Sequence, residues 1–389
     1  MIRRLRPMAL ATAVLAVSGC SIFGGDDEEA ALPPTPLTDF SETLKLDRVI
    51  NDGLGGGGGV LRYALRPSGD GTRAYAAGAD GTVVAYDAVS GKRTWRVKLD
   101  DTITAGPGAG DGRLAVADRS GGITALDART GDVLWRQDIA AEVLAPPVLG
   151  GERVIVRSVD GRLLALSGST GELLWFVEQP VPRLSQRGTG APVIVGDAVV
   201  AGFDNGRILA ADLLSGEILW ELPLGIPSGR SDIERMVDAD GALAASGNDL
   251  YVTGFRARTA AIAAESGQAL WARELSSYSG LGIDWTNVYM TLEDDQVIAL
   301  SRSNGTQQWS NEQFLRRQLT APVAFGEYVV VGDLEGYLHF LSARSGTLAA
   351  RVRVDDAPIV QRPYVMGETL YAQSSEGTLV GYRERGERR

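Results

Sequence analysis

The sequence predicts an all-β protein, specifically an eight-bladed β-propeller of four-stranded antiparallel blades. Three observations predict this fold: a motif that recurs at nearly regular intervals, strand patterns in fours within each interval, and 49 glycines in the chain. Tight turns between short strands use glycine, whereas helices are weakened by it. Repeats of about 40 residues with four strands each are typical of propeller blades.

The recurring motif is a turn with a glycine, followed four residues later by a tryptophan. Six of the seven tryptophans occupy this position, and Trp285 is the exception. The six are Trp95, Trp135, Trp175, Trp220, Trp271 and Trp309. Six tryptophans spread around a ring cannot all face one ligand. We therefore expect each to be structural, packed in the seam between neighbouring blades where the turn glycine leaves room for the indole.

The strands of one blade can be placed from apolar alternation and β-branched residues. In the second repeat the turn signals Asp111-Gly112, Ser120-Gly121-Gly122 and Thr130-Gly131 separate four such segments. The predicted strands are Ile103–Ala105, Arg113–Ala117, Ile123–Asp127 and Val133–Gln137.

The eighth repeat is incomplete. Gly377–Arg383 has the pattern of a third strand, and the chain ends before a fourth. Thr43–Ile50 precedes the first blade, has strand character and is otherwise unassigned. Since a bare sheet edge is a liability, we expect this N-terminal segment to close the last blade.

The N-terminal part of the chain, before the first blade, is predicted to be a targeting signal followed by a tether. Residues 1–19 combine an arginine-rich start with an apolar stretch too short to span a bilayer, as in a cleaved signal peptide. Small residues precede Cys20, as in the lipobox of bacterial lipoproteins, which implies acylation of Cys20. Ser21 rather than Asp follows, which by resemblance favours the outer membrane. Residues 20–40 are acidic and proline-rich, so we expect a flexible tether before a propeller domain at 41–389.

Composition excludes several classes of function. With 38 Lys and Arg against 49 Asp and Glu, the formal net charge is −11, so the basic footprint of a nucleic-acid binder is missing. One Cys and one His exclude an internal disulfide and a Cys or His metal cluster. His339 lies on a predicted strand with no evident nucleophile beside it, so we interpret it as structural. We predict no catalytic residues, no metal and no cofactor.

The repeats differ in the length of two consecutive connections. The steps from Gly171 to Gly216 and from Gly216 to Gly267 are longer than the others, and the extra residues fall in 178–192 and 222–243. Both segments join the outer strand of one blade to the inner strand of the next. They therefore emerge on the same rim, and long loops on a rigid scaffold are where binding function concentrates.

The repeat ALDARTGDVLW resembles that of the pyrroloquinoline-quinone-type eight-bladed propellers. This resemblance raises an alternative function, a periplasmic quinoprotein-like dehydrogenase. Members of that enzyme family carry adjacent cysteines that form a ring disulfide beside the quinone. Only Cys20 is present here, so the sequence argues against an enzyme.

The lipobox, the repeats, the two long loops and the stretch APVAFGEYVVVGDLEGYLHF together resemble the BamB family of outer-membrane assembly lipoproteins. The resemblance implies a non-enzymatic scaffold, anchored by lipid on the periplasmic face of the outer membrane. It implies binding to the periplasmic POTRA domains of BamA within the BAM complex, which inserts β-barrel proteins into the membrane. Unfolded outer-membrane proteins could also bind directly, by adding strands to blade edges, and the sequence leaves this open.

The resemblance also implies which residues contact the partner. The leucine and arginine of the family's S-L-x-L-R-G loop fall on Leu184 and Arg187, and its D-x-D falls on Asp238 and Asp240. The second leucine is replaced by Gln186, which weakens the apolar part of the contact. The two aspartates could accept partner N–H groups or hold Arg187 in place, and the sequence leaves both readings open.

Overall fold

The computed structural model describes residues 32–56, 63–184, 190–228, 230–239, 241 and 243–386. Within these ranges the regular structure is entirely strand, arranged as eight sheets around a ring. Pro34–Arg389 forms one compact unit. The predicted eight-bladed, all-β propeller is therefore confirmed. No helix in the described part of the chain is long and apolar enough to cross a bilayer.

The first four blades follow the chain, each running from the inner to the outer strand. Blade 1 comprises β3 (Ser68–Gly69), β4 (Arg73–Ala77), β5 (Thr82–Asp87) and β6 (Arg93–Lys98). Blade 2 comprises β7 (Ile103–Gly110), β8 (Arg113–Asp118), β9 (Gly122–Asp127) and β10 (Val133–Asp138). Blade 3 comprises β11 (Val148–Gly150), β12 (Arg153–Arg157), β13 (Arg162–Ser167) and β14 (Leu173–Glu178). Blade 4 comprises β15 (Val193–Val195), β16 (Ala198–Gly202), β17 (Arg207–Asp212) and β18 (Ile218–Pro223).

The other four blades complete the ring. Blade 5 comprises β19 (Ala244–Ser246), β20 (Asp249–Val252), β21 (Thr259–Ala263) and β22 (Ala269–Arg273). Blade 6 comprises β23 (Leu281–Ile283), β24 (Asn287–Thr291), β25 (Val297–Ser301) and β26 (Gln307–Asn311). Blade 7 comprises β27 (Val323–Phe325), β28 (Tyr328–Gly332), β29 (Tyr337–Ser342) and β30 (Leu348–Arg353). Blade 8 comprises β31 (Tyr364–Met366), β32 (Thr369–Gln373), β33 (Thr378–Glu384) and, outermost, β1 (Leu46–Gly53).

Three strands of blade 2 match their predicted bounds to within one position, but β7 runs on to Gly110, well past the predicted end at Ala105. Two register shifts in its pairing with β8 accommodate the extra length. Its other edge pairs in parallel with the short strand β2 (Ala64–Leu65), which makes this sheet five-stranded. The added residues from Gly108 to Gly110 pair with β8, whereas β2 pairs only with Ala105 and Gly106.

The N-terminal strand closes the ring as predicted, but it begins at Leu46 rather than Thr43 and ends at Gly53 rather than Ile50. Leu46 pairs with Glu384 and Gly53 with Thr378, in antiparallel register. The segment before Leu46 is engaged elsewhere, because the amides of Thr43 and Leu44 donate to the carbonyl of Ala349 in blade 7. Pairing with β33 therefore begins later than predicted and ends later.

Each repeat tryptophan lies against the turn glycine of the following blade. A Cβ added to Gly171, whose φ is +78°, would lie 2.5 Å from the ring of Trp135. The indole Nε1 of Trp135 also donates a hydrogen bond of 2.9 Å to the carbonyl of Gly168 in blade 3. The other five tryptophans make the same bond to the next blade. Every one of these six seams thus has both an apolar and a polar contact.

Residues before β1 pack on blade 7 and on the connection that precedes it. The amide of Thr35 donates to the carbonyl of Leu315, and its own carbonyl accepts from the Arg317 guanidinium at 3.0 Å. Arg351 donates to the carbonyl of Thr38 and lies over the ring of Phe40. From Thr35 onward, the described part of the predicted tether therefore lies on the propeller.

His339 is fully buried in blade 7, consistent with a structural residue. Its Nε2 lies 2.9 Å from Oδ2 of Asp333, and its ring lies 4.3 Å from that of Phe314, centroid to centroid. Arg317 donates to Asp333 at 2.9 Å. Burial lowers the pKa of His339, and the charges of Arg351 and Arg317 oppose its protonation, so this pKa stays lowered despite the Asp333 carboxylate.

Candidate partner-binding surface

The two long connections lie at the same end of the propeller. Since the strands of each blade are antiparallel, all connections from an outer strand to the next inner strand emerge at one end, here called the loop rim. The connection between β14 and β15 spans 179–192, and that between β18 and β19 spans 224–243. These two connections flank blade 4, so they are neighbours on the loop rim.

The first connection begins anchored and then turns outward. The backbone N–H of buried Gln179 donates to the carbonyl of Gly161. Its side-chain Oε1 accepts a hydrogen bond from the Asn205 side chain. Val181 and Leu184 follow as exposed aliphatic residues, Leu184 being 42% exposed. Arg187 and Gln186 fall outside the described residues. The structure thus places Leu184 on the surface, as a contact residue requires.

The second connection is anchored at both ends and exposed in its middle. Leu224 and Val237 are buried in the core shared by blades 4 and 5. Between them Ile226 is 77% and Ile233 is 64% exposed. Arg256 in blade 5 holds the exposed part by donating to the carbonyl of Ile233 at 2.8 Å. This arrangement presents aliphatic side chains on a supported loop.

Asp238 is not a surface residue. Its side chain is buried at 2% exposure, and its amide donates to the carbonyl of Phe255 at 3.0 Å. Burial raises the pKa of neighbouring Asp204. The Arg157 charge lowers this pKa and the Asp238 charge raises it, and the net shift is upward. Asp240 falls outside the described residues. Of the four predicted contact residues, the structure therefore shows one exposed and one buried.

A buried cation lies beneath these loops. The guanidinium of Arg157 stacks over the ring of Phe203 at 4.4 Å and lies 3.5 Å from the Asp204 carboxylate. It also donates to the carbonyl of Ser158. Arg157 balances the negative charge of Asp204, since unpaired buried charges are strongly disfavoured. This cluster links blades 3 and 4 to the base of the second long loop.

Sequence reasoning missed Arg157, Ile226 and Ile233. A signal for Arg157 existed, since the corresponding strand position in blade 2 is Ala117 and a charged residue interrupts an apolar pattern. Ile226 lies in the stretch GIPSGR, where an isoleucine among turn residues indicates an exposed apolar group. Among the described residues, no three His, Cys, Asp or Glu side chains are placed to hold a metal ion.

The fold defines an eight-bladed β-propeller whose loop rim carries two long, neighbouring connections. Comparison with known proteins identifies the family of the chain. The family model described as outer membrane protein assembly factor BamB matches residues 79–311. The chain is 46% identical over 374 residues to the outer membrane protein assembly factor BamB of Pseudomonas aeruginosa, covering 96% of this chain and 97% of that protein.

Solved structures agree. BamB from Moraxella catarrhalis superposes with a TM-score of 0.78 at 29% identity, covering 87% of this chain and all of that one. Quinohemoprotein alcohol dehydrogenase from Comamonas testosteroni gives a TM-score of 0.68 at 13% identity, covering 88% of this chain and 77% of that one, which reflects the fold alone. The chain belongs to the BamB family of outer-membrane protein assembly factors.

Proposed function

We propose that the chain is a non-enzymatic scaffold lipoprotein of the β-barrel assembly machinery, which binds the periplasmic POTRA region of BamA and assists folding and insertion of outer-membrane proteins. The observation that carries the proposal is the pair of long, neighbouring loops that present Leu184, Ile226 and Ile233 to solvent. Exposed apolar groups on a rigid rim are typical of a protein-binding surface. Membership of the BamB family supports the same partner.

Within this surface, we assign different roles to the predicted contact residues. Leu184 supplies an apolar anchor, and Arg187 supplies a guanidinium for a carboxylate or carbonyls of BamA. Asp238 is buried beside Asp204 and acts by holding the base of the loop that carries Asp240. We thus assign a supporting role to Asp238 beneath the surface and a contact role to Asp240.

The test is a calorimetric titration of the purified propeller with the periplasmic region of BamA. Arg187→Ala or Leu184→Ala should weaken binding about thirtyfold, as the loss of about 2 kcal/mol at a hot spot implies. Their melting temperatures should stay near that of the parent protein. Val89→Ala is the matched control, since Val89 is an equally aliphatic, exposed residue in a turn at the opposite end of the propeller.

Asp238→Ala separates the supporting role from the contact role. It removes a buried carboxylate, so both the melting temperature and BamA affinity should fall. Full affinity in the Arg187→Ala and Leu184→Ala proteins would reject the rim as the BamA surface. Lost affinity with a collapsed melting temperature in those two proteins would instead make the residues structural.

We propose unfolded outer-membrane proteins as a second, weaker partner class. The outer strands of four consecutive blades expose aliphatic or aromatic residues next to unpaired backbone: Val133, Leu134, Leu173, Leu174, Phe176, Ile218, Leu219 and Leu270. Exposed apolar edge strands are templates for strand addition. Phe176→Lys on β14 should reduce binding of an unfolded barrel protein, whereas Thr94→Lys on the charged edge of blade 1 should not.

We propose that Cys20 carries the lipid that holds the protein on the periplasmic face of the outer membrane. Cys20 lies outside the described residues, so this rests on the lipobox. Cys20→Ser should leave the protein uncleaved at this site and without lipid, and normal acylation of that variant by mass spectrometry would reject the assignment. The alternative function, a quinone-dependent dehydrogenase, predicts a new visible absorption band after addition of quinone and calcium, and we expect none.

A further inference from the structure

A cavity of about 440 Å³ lies at the centre of the ring. Residues of all eight blades or their connections line it, mostly at the starts of the inner strands and therefore toward the loop rim. Much of the wall is apolar or backbone, including Pro107, Pro147 and Ile359. Its volume falls within the range of about 300–1,000 Å³ that is typical of small-molecule sites.

The charged groups in this cavity are of one sign. Among the described residues that line it, the only charged side chains are Arg66 and Arg362, and none is Asp or Glu. This stands out in a chain with 49 acidic residues and a net charge of −11. The two cations therefore set a local positive potential inside an acidic protein.

Neither cavity arginine pairs with a described carboxylate. Arg362 donates one hydrogen bond of 3.1 Å, to the carbonyl of Leu281. The two arginines whose side chains are fully buried are paired with carboxylates: Arg157 with Asp204, and Arg317 with Asp333 and Glu335. A partly buried cation without a described counter-charge is costly, and a bound anion would offset that cost.

The two cavity cations also disfavour one another. Burial, and then the charge of Arg66, lower the pKa of Arg362 to about 9. Burial likewise lowers the pKa of Arg66. Both guanidinium groups remain protonated at neutral pH, so their repulsion persists unless an anion lies between or beside them.

Polar groups that could complete a site stand nearby. The hydroxyl of Ser68, on the cavity wall, is buried and has no hydrogen-bond partner among the described residues. The Tyr364 ring also lines the cavity, and its hydroxyl lies 3.5 Å from the carbonyl of Gly69. An unsatisfied hydroxyl in a cavity that is also lined by two cations suits an acceptor-rich ligand.

We infer that the central cavity binds a small organic anion, with a carboxylate or phosphate group held by Arg66 and Arg362 and an apolar body against the proline-rich wall. A planar guanidinium matches carboxylate and phosphate oxygens with two parallel hydrogen bonds. The bound anion would supply the counter-charge that no described carboxylate supplies. The cavity lies toward the same rim as the proposed BamA-binding surface, and Pro192 and Leu243 of the two long connections help to line it. The inference rests on Arg66 and Arg362 and not on BamA binding.

The experiment is calorimetric titration of the intact propeller with three probes. Isophthalate and phenyl phosphate present the two acid groups on a similar ring, and isophthalamide is the uncharged counterpart. We expect saturable binding of one anion per chain and none of the diamide. Binding of both anions shows that the shared negative charge is recognised, and binding of one alone identifies the acid group.

Variants locate the site. Arg362→Gln and Arg66→Gln should each weaken anion binding at least tenfold, and Arg362→Lys should recover part of it. The matched control is Arg136→Gln, an arginine on the outer strand of blade 2 that pairs with Asp101. Without ligand, Arg66→Gln should melt no lower than the parent, because a repulsive pair has been removed.

Two results would overturn the inference. One is the absence of saturable binding of either anion at millimolar concentration. The other is equal affinity of the Arg66→Gln, Arg362→Gln and Arg136→Gln proteins, which would place the anion elsewhere on the surface.

Discussion

The six repeat tryptophans carry the clearest stability prediction at the scale of single residues. Trp135→Ala removes a buried indole, leaves space beside Gly171 and leaves the Gly168 carbonyl without its donor. The free energy of unfolding should fall by about 3–5 kcal/mol. Denaturant unfolding followed by circular dichroism measures it.

Trp285 is the matched control for this change. It is 91% exposed in the turn between β23 and β24, so Trp285→Ala should change the free energy of unfolding by less than about 0.5 kcal/mol. Acrylamide should quench the fluorescence of Trp285 far more than that of the seam tryptophans. Equal destabilisation by the two substitutions would mean that the seams are not where the stability resides.

His339 gives the protein a specific pH dependence. Its pKa is lowered in the folded state by burial and by Arg351 and Arg317, against the attraction of Asp333. Below the ordinary histidine pKa of about 6.5, the unfolded chain therefore binds a proton that the folded one does not, and stability falls as pH falls. The loss should approach about 1.4 kcal/mol for each pH unit below about 6.5.

Comparison with His339→Gln isolates this contribution, because the chain has one histidine. Glutamine keeps an N–H that can reach Asp333. The parent should lose more stability than the variant between pH 7.5 and 5.5 in denaturant titrations. Parallel curves for the two proteins would show that His339 binds its proton equally well in the folded and unfolded chains.

At the scale of elements, the closing strand β1 controls the edge of blade 8. Deleting 46–53 should leave β33 with an unpaired edge, and its amides should exchange faster with solvent. A synthetic peptide of residues 43–54 should restore protection to Thr378–Glu384. A scrambled peptide should not, and unchanged exchange after the deletion would contradict pairing of these strands in solution.

The bounds of ordinary blade strands follow from the sequence because alternation and turn glycines are local signals. The strand β1 is less predictable, since Thr43 and Leu44 bond to blade 7, a partner near the other end of the chain. The residues of the candidate BamA-binding surface also differ in how far the sequence predicts them. Exposure of Leu184 on a long loop can be anticipated, whereas burial of Asp238 results from Phe255 and Asp204 in two different blades.

Whole-molecule stability should depend most on the junction where the chain ends meet. Leu46→Cys with Glu384→Cys would link directly paired residues across that junction. The protein used begins at Ser21, so that it lacks Cys20, the one native cysteine. Because the linked loop is nearly the whole chain, loop-closure entropy gives about 6 kcal/mol of stabilisation on oxidation. The difference between the denaturant midpoints of the oxidised and reduced forms of this protein measures the stabilisation.

The control is Arg162→Cys with Glu178→Cys, a pair directly opposite one another within blade 3. Its short loop gives about 3 kcal/mol by the same relation. Equal gains for both disulfides would contradict the dependence on loop length, and with it the larger stabilisation expected from linking the two ends of the chain.

The shared eighth blade also fixes a schedule for the growing polypeptide. Of the described strands, β1 is the first to emerge on the periplasmic side after export, and β33 is the last. The earliest strand must therefore remain unpaired while nearly the whole propeller emerges and seven blades assemble with both ends of the arc open. Such unpaired edges invite association with other chains. The interval between the first strand and the last is thus the time when this protein most needs a chaperone.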